Sequence, residues 1–234
     1  AIGTITNASS DLVIKSNVQD KDILLKGDDG GAEITALTLD MSAAGAAAFN
    51  SSITSGGAAV KVAGKETIWV PAAAMYPSTT NGCSALTQVE TTALRPDMKV
   101  LDFAADADDF AQFSIAFPKS WNEGTITFKC YWIGLAATTG VAFGLQGVAV
   151  GDNEEADQAY GTAVVVTDDS QGDATEVLIT ATSGAVTIAN SPAAEDICFF
   201  RIFRDVSDGN DDMAGDARLL GVKIFYTVNA KDDS

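Results

Sequence analysis

Residues 22–50 (DILLKGDDGGAEITALTLDMSAAGAAAFN) constrain the fold most, because short β-patterned runs alternate there with Gly, Ala and Asp. This stretch offers too little bulky apolar side chain to make a core, so the segment cannot fold alone. Residues 1–65 as a whole lack Trp, Tyr, Pro and Cys, and Phe49 is their only Phe. We therefore predict a β-rich stem at 1–65, used for attachment and oligomerisation, and a core-forming head domain at 66–234.

A weak internal repeat runs through the stem. Acidic residues at Asp11, Asp22 and Glu33 each open an apolar, strand-like run, at intervals of eleven residues. This pattern predicts a ribbon that packs on copies of itself, as in a homotrimer, because a single copy would leave its Ile and Leu in water. The alternative is a flexible arm, since Gly-rich and Ala-rich segments are often disordered. Residues 51–64 are the expected hinge.

The charge is as uneven as the composition. Residues 1–65 hold five Lys and seven acidic residues, which leaves nine basic and twenty-five acidic residues in 66–234. A strongly acidic body repels nucleic acid and anionic membrane surfaces, so we expect neither as a partner. The charge either keeps an abundant protein soluble or suits a setting rich in cations such as Ca²⁺.

The supply of reactive side chains argues against catalysis. The sequence has no His, which removes Ser-His-acid and Cys-His arrangements and the commonest zinc ligand. Cys83, Cys130 and Cys198 are odd in number and widely spaced, and we interpret them as small buried thiols formed in a reducing cytoplasm. A polysaccharide-cleaving pair of carboxylates is the remaining alternative. Most acidic residues fall in polar, turn-like clusters, so we predict a protein that is not an enzyme.

The sequence of the head predicts an all-β domain. Strand candidates separated by turns rich in Gly, Asp, Asn and Pro lie at 68–70, 100–103, 110–117, 125–133, 141–150, 163–166, 176–181, 185–188, 197–203 and 219–228. Their number and spacing, without helical periodicity, predict a jelly-roll-like antiparallel β-sandwich. Period-2 alternation places one set of side chains towards the core: Ile126, Phe128, Cys130, Trp132, Leu220, Val222, Ile224, Tyr226 and Val228.

The densest cluster of acidic residues lies between the last two predicted strands. It includes four carboxylates that we treat as candidate Ca²⁺ ligands: Asp205, Asp208, Asp211 and Asp212. The EF-hand order fails, because Met213 stands where that loop has Gly and Leu219 stands where it has Glu. The alternative is a solvated hairpin loop in which Arg204 and Arg218 pair some of the acids.

Aromatic residues offer a possible sugar-stacking platform. Trp69, Tyr131 and Trp132 lie in predicted strands and are expected in the core or an interface. Tyr76 and Trp121 lie in turns, so we predict these two as exposed ligand-contact residues.

Both parts of the chain resemble bacteriophage proteins. Residues 22–50 resemble the stem repeats of tail fibres, especially those of marine phages. The motifs PAAAMYPSTTNGC, RPDMKVLDF, FPKSWN, GLQGVAV and DARLLGVKIF, at 71–83, 95–103, 117–122, 144–150 and 216–225, resemble a C-terminal module of marine-phage structural proteins. The resemblance implies a virion structural protein assembled in the host cytoplasm.

Within that resemblance, we predict a trimeric tail-fibre or spike subunit. Its head would bind a host glycan or outer-membrane protein, and its N-terminal region would bind other virion proteins. The alternatives are a capsid decoration or head-fibre protein and, less favoured, a polysaccharide-cleaving spike. Because the sequence does not begin with Met, a processed or truncated product is also considered.

Overall fold

The computed structural model describes residues 1–51, 53–55, 58–59 and 64–228. It divides into two compact units, Ala1–Val60 and Lys61–Ser234. The described regular structure is β-strand except for one 3-10 turn at Ala72–Ala74, which confirms the all-β prediction. No helix in these ranges is long and apolar enough to cross a membrane. The predicted hinge at 51–64 lies mostly outside the described residues.

The first unit is built from thin antiparallel sheets. Its strands are β1 (Gly3–Ala8), β2 (Asp11–Ser16), β3 (Ile23–Asp29), β4 (Ala32–Asp40), β5 (Ala46–Phe49), β6 (Thr54–Ser55) and β7 (Ala58–Ala59). β1 pairs with β2, β3 to β5 form a three-stranded sheet, and β6 pairs with β7. None of residues 1–51 is fully buried.

One face of the β1–β2 hairpin is apolar and exposed. Ile5 pairs with Ile14 across the hairpin, and Leu12 lies two residues further along the same face. Their exposed fractions are 72%, 51% and 73%, respectively. A two-stranded hairpin with an uncovered apolar face is marginally stable in water. Among the described residues, this face of the hairpin is largely exposed.

The second unit is a jelly-roll-like antiparallel β-sandwich of two six-stranded sheets, as predicted. Its strands are β8 (Gly64–Pro71), β9 (Tyr76–Pro77), β10 (Thr87–Glu90), β11 (Asp97–Phe103), β12 (Phe110–Ala116), β13 (Thr127–Ile133), β14 (Gly140–Val150), β15 (Val164–Asp169), β16 (Leu178–Ile179), β17 (Ile188–Ala189), β18 (Ile197–Arg204) and β19 (Ala217–Val228). The first sheet has the order β10–β11–β19–β13–β16, with β8 also paired to β19. The second has the order β15–β14–β18–β12–β9, with β17 beside β14.

The core lies between the two sheets and follows the predicted alternation in β13. Ile126, Phe128, Cys130 and Trp132 are all at most 1% exposed. Such burial of large side chains is the main favourable term in folding. All three cysteines are buried and free, which confirms their prediction as buried thiols.

The predicted alternation in β19 is wrong at one residue. Four of the five predicted residues face the core: Val222, Ile224, Tyr226 and Val228. The fifth prediction, Leu220, is wrong, because Leu219 is the core residue at this point and is 0% exposed. The pairing register with β13 shifts here, because Gly221 lies opposite Tyr131 whereas Leu219 lies opposite Trp132. Leu220 is the extra residue of a β-bulge, and a bulge reverses the inward and outward positions on its far side.

Candidate functional site

A row of polar and aromatic side chains crosses the outer face of the second sheet. Tyr76 of β9 is directly opposite Gln112 of β12, and Gln112 is opposite Arg201 of β18. Arg201 is in turn opposite Gln146 of β14. Four adjacent strands therefore place Tyr76, Gln112, Arg201 and Gln146 side by side, and we call these four residues the glutamine–arginine row.

Hydrogen bonds hold the amides of this row in fixed orientations. Arg201 donates from Nε and Nη2 to Oε1 of Gln146, at 3.0 and 2.7 Å. Gln146 donates from Nε2 to the carbonyl oxygen of Gly161 at 3.0 Å. Gln112 donates from Nε2 to Oγ of Ser78 at 2.9 Å and accepts from the Tyr160 hydroxyl at 3.3 Å. The row is therefore organised before any ligand arrives, which lowers the entropy cost of binding.

Two aromatic rings enclose the guanidinium of Arg201. Its Cζ lies 4.3 Å from the ring centroid of Phe110 and 5.1 Å from that of Tyr160. Both distances suit cation–π attraction. Burial raises the pKa of the Tyr160 phenol, with a further increase from Tyr76 and opposition from Arg201, so this hydroxyl stays a donor at neutral pH.

Some groups of the row remain available to a ligand. The Tyr76 ring is 50% exposed. Nε and Nη2 of Arg201 both donate to Gln146, whereas Nη1 has no hydrogen-bond partner among the described residues. The row offers an aromatic face, amide groups and a guanidinium donor, but no carboxylate, thiol or imidazole. Groups of these kinds can stack on a ring and form hydrogen bonds with polar atoms.

Of the two aromatic residues predicted as exposed ligand contacts, only one is exposed. Tyr76 is exposed and belongs to the row. The prediction that Trp121 is exposed is wrong, since only 4% of it is accessible. A tight turn, in which the Trp121 amide donates to the Pro118 carbonyl at 2.9 Å, folds the indole inward. There it stacks on Phe117 with ring centroids 4.2 Å apart.

One of the two strand tryptophans also differs from expectation. Trp132 is in the core, as expected for a strand aromatic, with 0% of its surface exposed. Trp69 is 47% exposed, so its prediction as a core residue is wrong. It lies on the outer face of the first sheet, where its ring contacts Tyr131 edge-on at 5.0 Å between centroids. The interface alternative for Trp69 stays a prediction.

The four candidate Ca²⁺ ligands have separate partners. Asp205 accepts from the amide and hydroxyl of Ser207, and Asp208 accepts from the amide and side chain of Asn210. Asp212 accepts from the Gly140 amide at 2.6 Å. These contacts tie the loop to itself and to β14. Within the described ranges, no three or more His, Cys, Asp or Glu side chains converge as a metal site would require. Calcium binding by Asp205, Asp208, Asp211 and Asp212 stays a prediction.

Asp211 differs from the other three because it is buried against Arg204. Their side chains are 2% and 0% exposed, and Arg204 Nη2 lies 2.7 Å from Asp211 Oδ1. Arg204 also donates to the carbonyl oxygens of Met213 and Gly215, and Asp211 accepts from the Ala142 amide at 3.0 Å. The prediction that Arg204 pairs an acid of this loop is correct, but the pair is not solvated. Arg218 pairs instead with Asp102 of β11, at 2.9 Å.

Sequence reasoning did not single out Gln112, Gln146 or Arg201. Alternation within β12 and β18 gives a usable signal, because it places Gln112 and Arg201 on the face opposite the core residues. The missing information is the strand order and register, which align residues as far apart in sequence as Tyr76 and Arg201. Tyr160 lies in the segment between β14 and β15, where no periodicity indicates its position.

Comparisons with known proteins give structural neighbours only. No protein-family model matches the sequence, and no curated protein does. The C-terminal family 22 carbohydrate-binding module of Clostridium thermocellum Xyn10B is 12% identical with a TM-score of 0.39, over 70% of this chain and 94% of that one. A carbohydrate-binding module specific for non-crystalline cellulose, CBM28, is 11% identical with a TM-score of 0.35, over 69% and 87%.

A third neighbour is the family 11 carbohydrate-binding module from Clostridium thermocellum, in complex with a β-1,3-1,4-mixed-linked tetrasaccharide. It is 8% identical with a TM-score of 0.34, over 69% of this chain and 87% of that one. These identities and scores are too low to transfer a ligand or a residue role to this chain.

Proposed function

We propose that this protein is a glycan-binding subunit of a bacteriophage appendage, a tail fibre or spike, and that the glutamine–arginine row is its binding surface. The observation that carries the proposal is the row itself: Tyr76, Gln112, Arg201 and Gln146 aligned on one sheet face. The phage setting rests on the resemblance of the stem and head motifs to phage structural proteins.

The row suits a sugar for two physical reasons. A pyranose ring has an apolar C–H face, which packs on an aromatic ring such as that of Tyr76. Its hydroxyl groups lie around the rim, where Nη1 of Arg201 can donate to them. The hydrogen bonds of Gln112 and Gln146 to Ser78, Tyr160 and Gly161 limit reorganisation on binding.

The first unit supports an oligomeric appendage. The exposed face of Ile5, Leu12 and Ile14 would be covered in a homotrimer, and trimerisation would place three heads on one particle. Three weak sites that bind the same cell surface gain avidity without additional contacts at each site. The N-terminal region would also supply the contact with other virion proteins. A capsid decoration or head-fibre protein is the alternative role for the same fold.

The test is a glycan array with the full chain, followed by calorimetric titration of the best neutral oligosaccharide. Tyr76→Ala should weaken binding about tenfold, equivalent to about 1.4 kcal/mol, because it removes the exposed ring. Leu86→Ala is the matched control, since Leu86 is an apolar side chain that is 40% exposed and lies outside the row. Equal losses in both variants, or no neutral glycan bound, would refute the row as a sugar site.

Cell binding separates the two virion roles. Labelled protein that binds host cells, and loses that binding through Tyr76→Ala, would support a fibre or spike. Protein that binds assembled phage heads but not host cells would support a decoration protein instead. Release of reducing ends from a host polysaccharide would favour the cleaving spike and contradict the proposed non-catalytic role.

A further inference from the structure

The outer face of the first sheet carries a second row with a different character. Trp69 of β8 lies directly opposite Lys223 of β19, and Lys223 lies opposite Lys129 of β13. In the next row along the strands, Tyr131 lies between Gly221 and Ile179. Neighbouring strands are about 4.8 Å apart, so the three residues Trp69, Lys223 and Lys129 span about 10 Å. We call these three the tryptophan–lysine row.

The Trp69 ring is held in place and exposed at the same time. It covers Gly221, where a Cβ atom would lie 2.6 Å from the indole Cη2 and Cζ2. The edge-on contact with Tyr131 fixes the ring from the neighbouring row. Nevertheless 47% of Trp69 and 48% of Ile179 remain accessible. A rigid, half-exposed indole on the outer face of a sheet is a surface on which another ring can stack.

The two lysines of the row are unusual in this protein. Like charges directly opposite each other on neighbouring strands destabilise a sheet. Acidic residues outnumber basic ones by 32 to 14 in the sequence, yet no carboxylate among the described residues forms an ion pair with Lys129 or Lys223. The Lys223 ammonium instead lies 5.4 Å from the Phe225 ring centroid. By contrast, Arg218 on the same strand forms an ion pair with Asp102.

Two unpaired ammonium groups beside a stacking ring are complementary to an anionic sugar. We infer that the tryptophan–lysine row is a second binding site, specific for acidic polysaccharides that carry carboxylate or sulfate groups. The sugar ring would pack on Trp69, and its anion would bind between Lys223 and Lys129. A polymer with isolated charges fits better than nucleic acid, because the net charge of −18 repels a dense polyanion.

The experiment compares ligands that differ only in charge. Sparsely carboxymethylated dextran tests carboxylate recognition and sparsely sulfated dextran tests sulfate recognition, each paired with unmodified dextran, all by titration against the full chain. At least one anionic ligand should bind at least tenfold more tightly than its neutral partner. Its affinity should fall as NaCl is raised, because salt screens exposed charges. Equal binding of both members in both pairs, or no binding of either anion, overturns the proposal.

Variants connect the binding to the row. Lys129→Gln with Lys223→Gln should lower the affinity for the anionic ligand about tenfold, and Trp69→Ala should lower it by a similar factor. Lys99→Gln is the control, because Lys99 is an exposed lysine on β11 outside the row. Tyr76→Ala should leave anion binding unchanged, so failure of this site and failure of the glutamine–arginine row are distinguishable.

Self-association is the competing explanation for the same charges, since the acidic surface of a second copy could also approach the two lysines. Light scattering at low salt measures this directly. If the double lysine variant abolishes self-association and leaves polysaccharide binding intact, the inference is refuted. If the oligomeric state is unchanged and polysaccharide binding is lost, it is supported.

Discussion

Asp211→Asn should be among the most destabilising isosteric changes in the second unit. The substitution preserves the shape of the side chain but removes the charge that faces the fully buried Arg204. The guanidinium would keep its bonds to the carbonyl oxygens of Gly215 and Met213, which do not neutralise it. The Ala142 amide would in addition face an amide instead of a carboxylate. The variant therefore has a buried cation without a counter-charge.

The expected magnitude follows from the burial of both partners. Removing one member of a buried ion pair costs about 3–5 kcal/mol, because the remaining charge is desolvated without compensation. For a unit of this size, 1 kcal/mol lowers the melting temperature by about 2–4 °C, so the loss corresponds to about 6–20 °C. Replacing both residues, as in Arg204→Met with Asp211→Leu, should cost less than Asp211→Asn because no buried charge is left.

Intrinsic fluorescence is the appropriate assay. All three Trp lie in the second unit, so thermal or urea unfolding followed through Trp emission reports that unit alone. Glu195→Gln is the control, because the Lys119–Glu195 pair is 3.5 Å apart with the Glu side chain 75% exposed. Exposed pairs contribute about 0–1 kcal/mol. If Asp211→Asn shifts the melting temperature no more than Glu195→Gln, the reasoning about the buried pair is refuted.

Three further predictions concern other parts of the chain. The buried thiols should not react with a thiol-exchange reagent at pH 8 until the protein unfolds, because burial raises the pKa of Cys83 and of Cys198 to about 12; fast labelling of native protein would contradict this. Gly140→Ala should lower the melting temperature measurably, because the new Cβ would lie 2.1 Å from the backbone oxygen of Asn210, whereas Gly209→Ala, which has open space around it, should have a smaller effect. Ile5→Asp should reduce the molar mass measured by light scattering if the β1–β2 hairpin is an oligomer contact, and an unchanged mass would exclude that face.

The sequence was sufficient for properties that depend on local alternation. The inward face of β13 follows from a period of two over Ile126 to Trp132, and no distant residue is needed to identify it. The change of the inward residue from Leu220 to Leu219 could not be predicted from alternation, because a bulge is defined by its partner strand as well as by its own residues. Exposure of Trp121 was predicted from its position in a turn, but the turn folds the ring onto Phe117.

Properties that depend on pairing between distant strands were not predictable. The glutamine–arginine row needs the order β9–β12–β18–β14, which connects residues far apart along the chain. The burial of Arg204 was also missed, because Arg in an acidic loop is usually solvated. Here Asp211 and the carbonyl oxygens of Met213 and Gly215 satisfy its donors, and these partners become adjacent only in the folded loop.

The bulge at Leu220 sets which charges the first sheet presents to its surroundings. Arg218 and Lys223 are five residues apart, an odd spacing that puts two residues on opposite faces of a regular strand. One extra residue restores them to the same face, so that both point away from the core while Leu219 and Val222 point into it. Deleting Leu220 would force a choice between two losses. Either Lys223 and Phe225 would turn inward, or the pairing of β19 with β8 would slip by one residue.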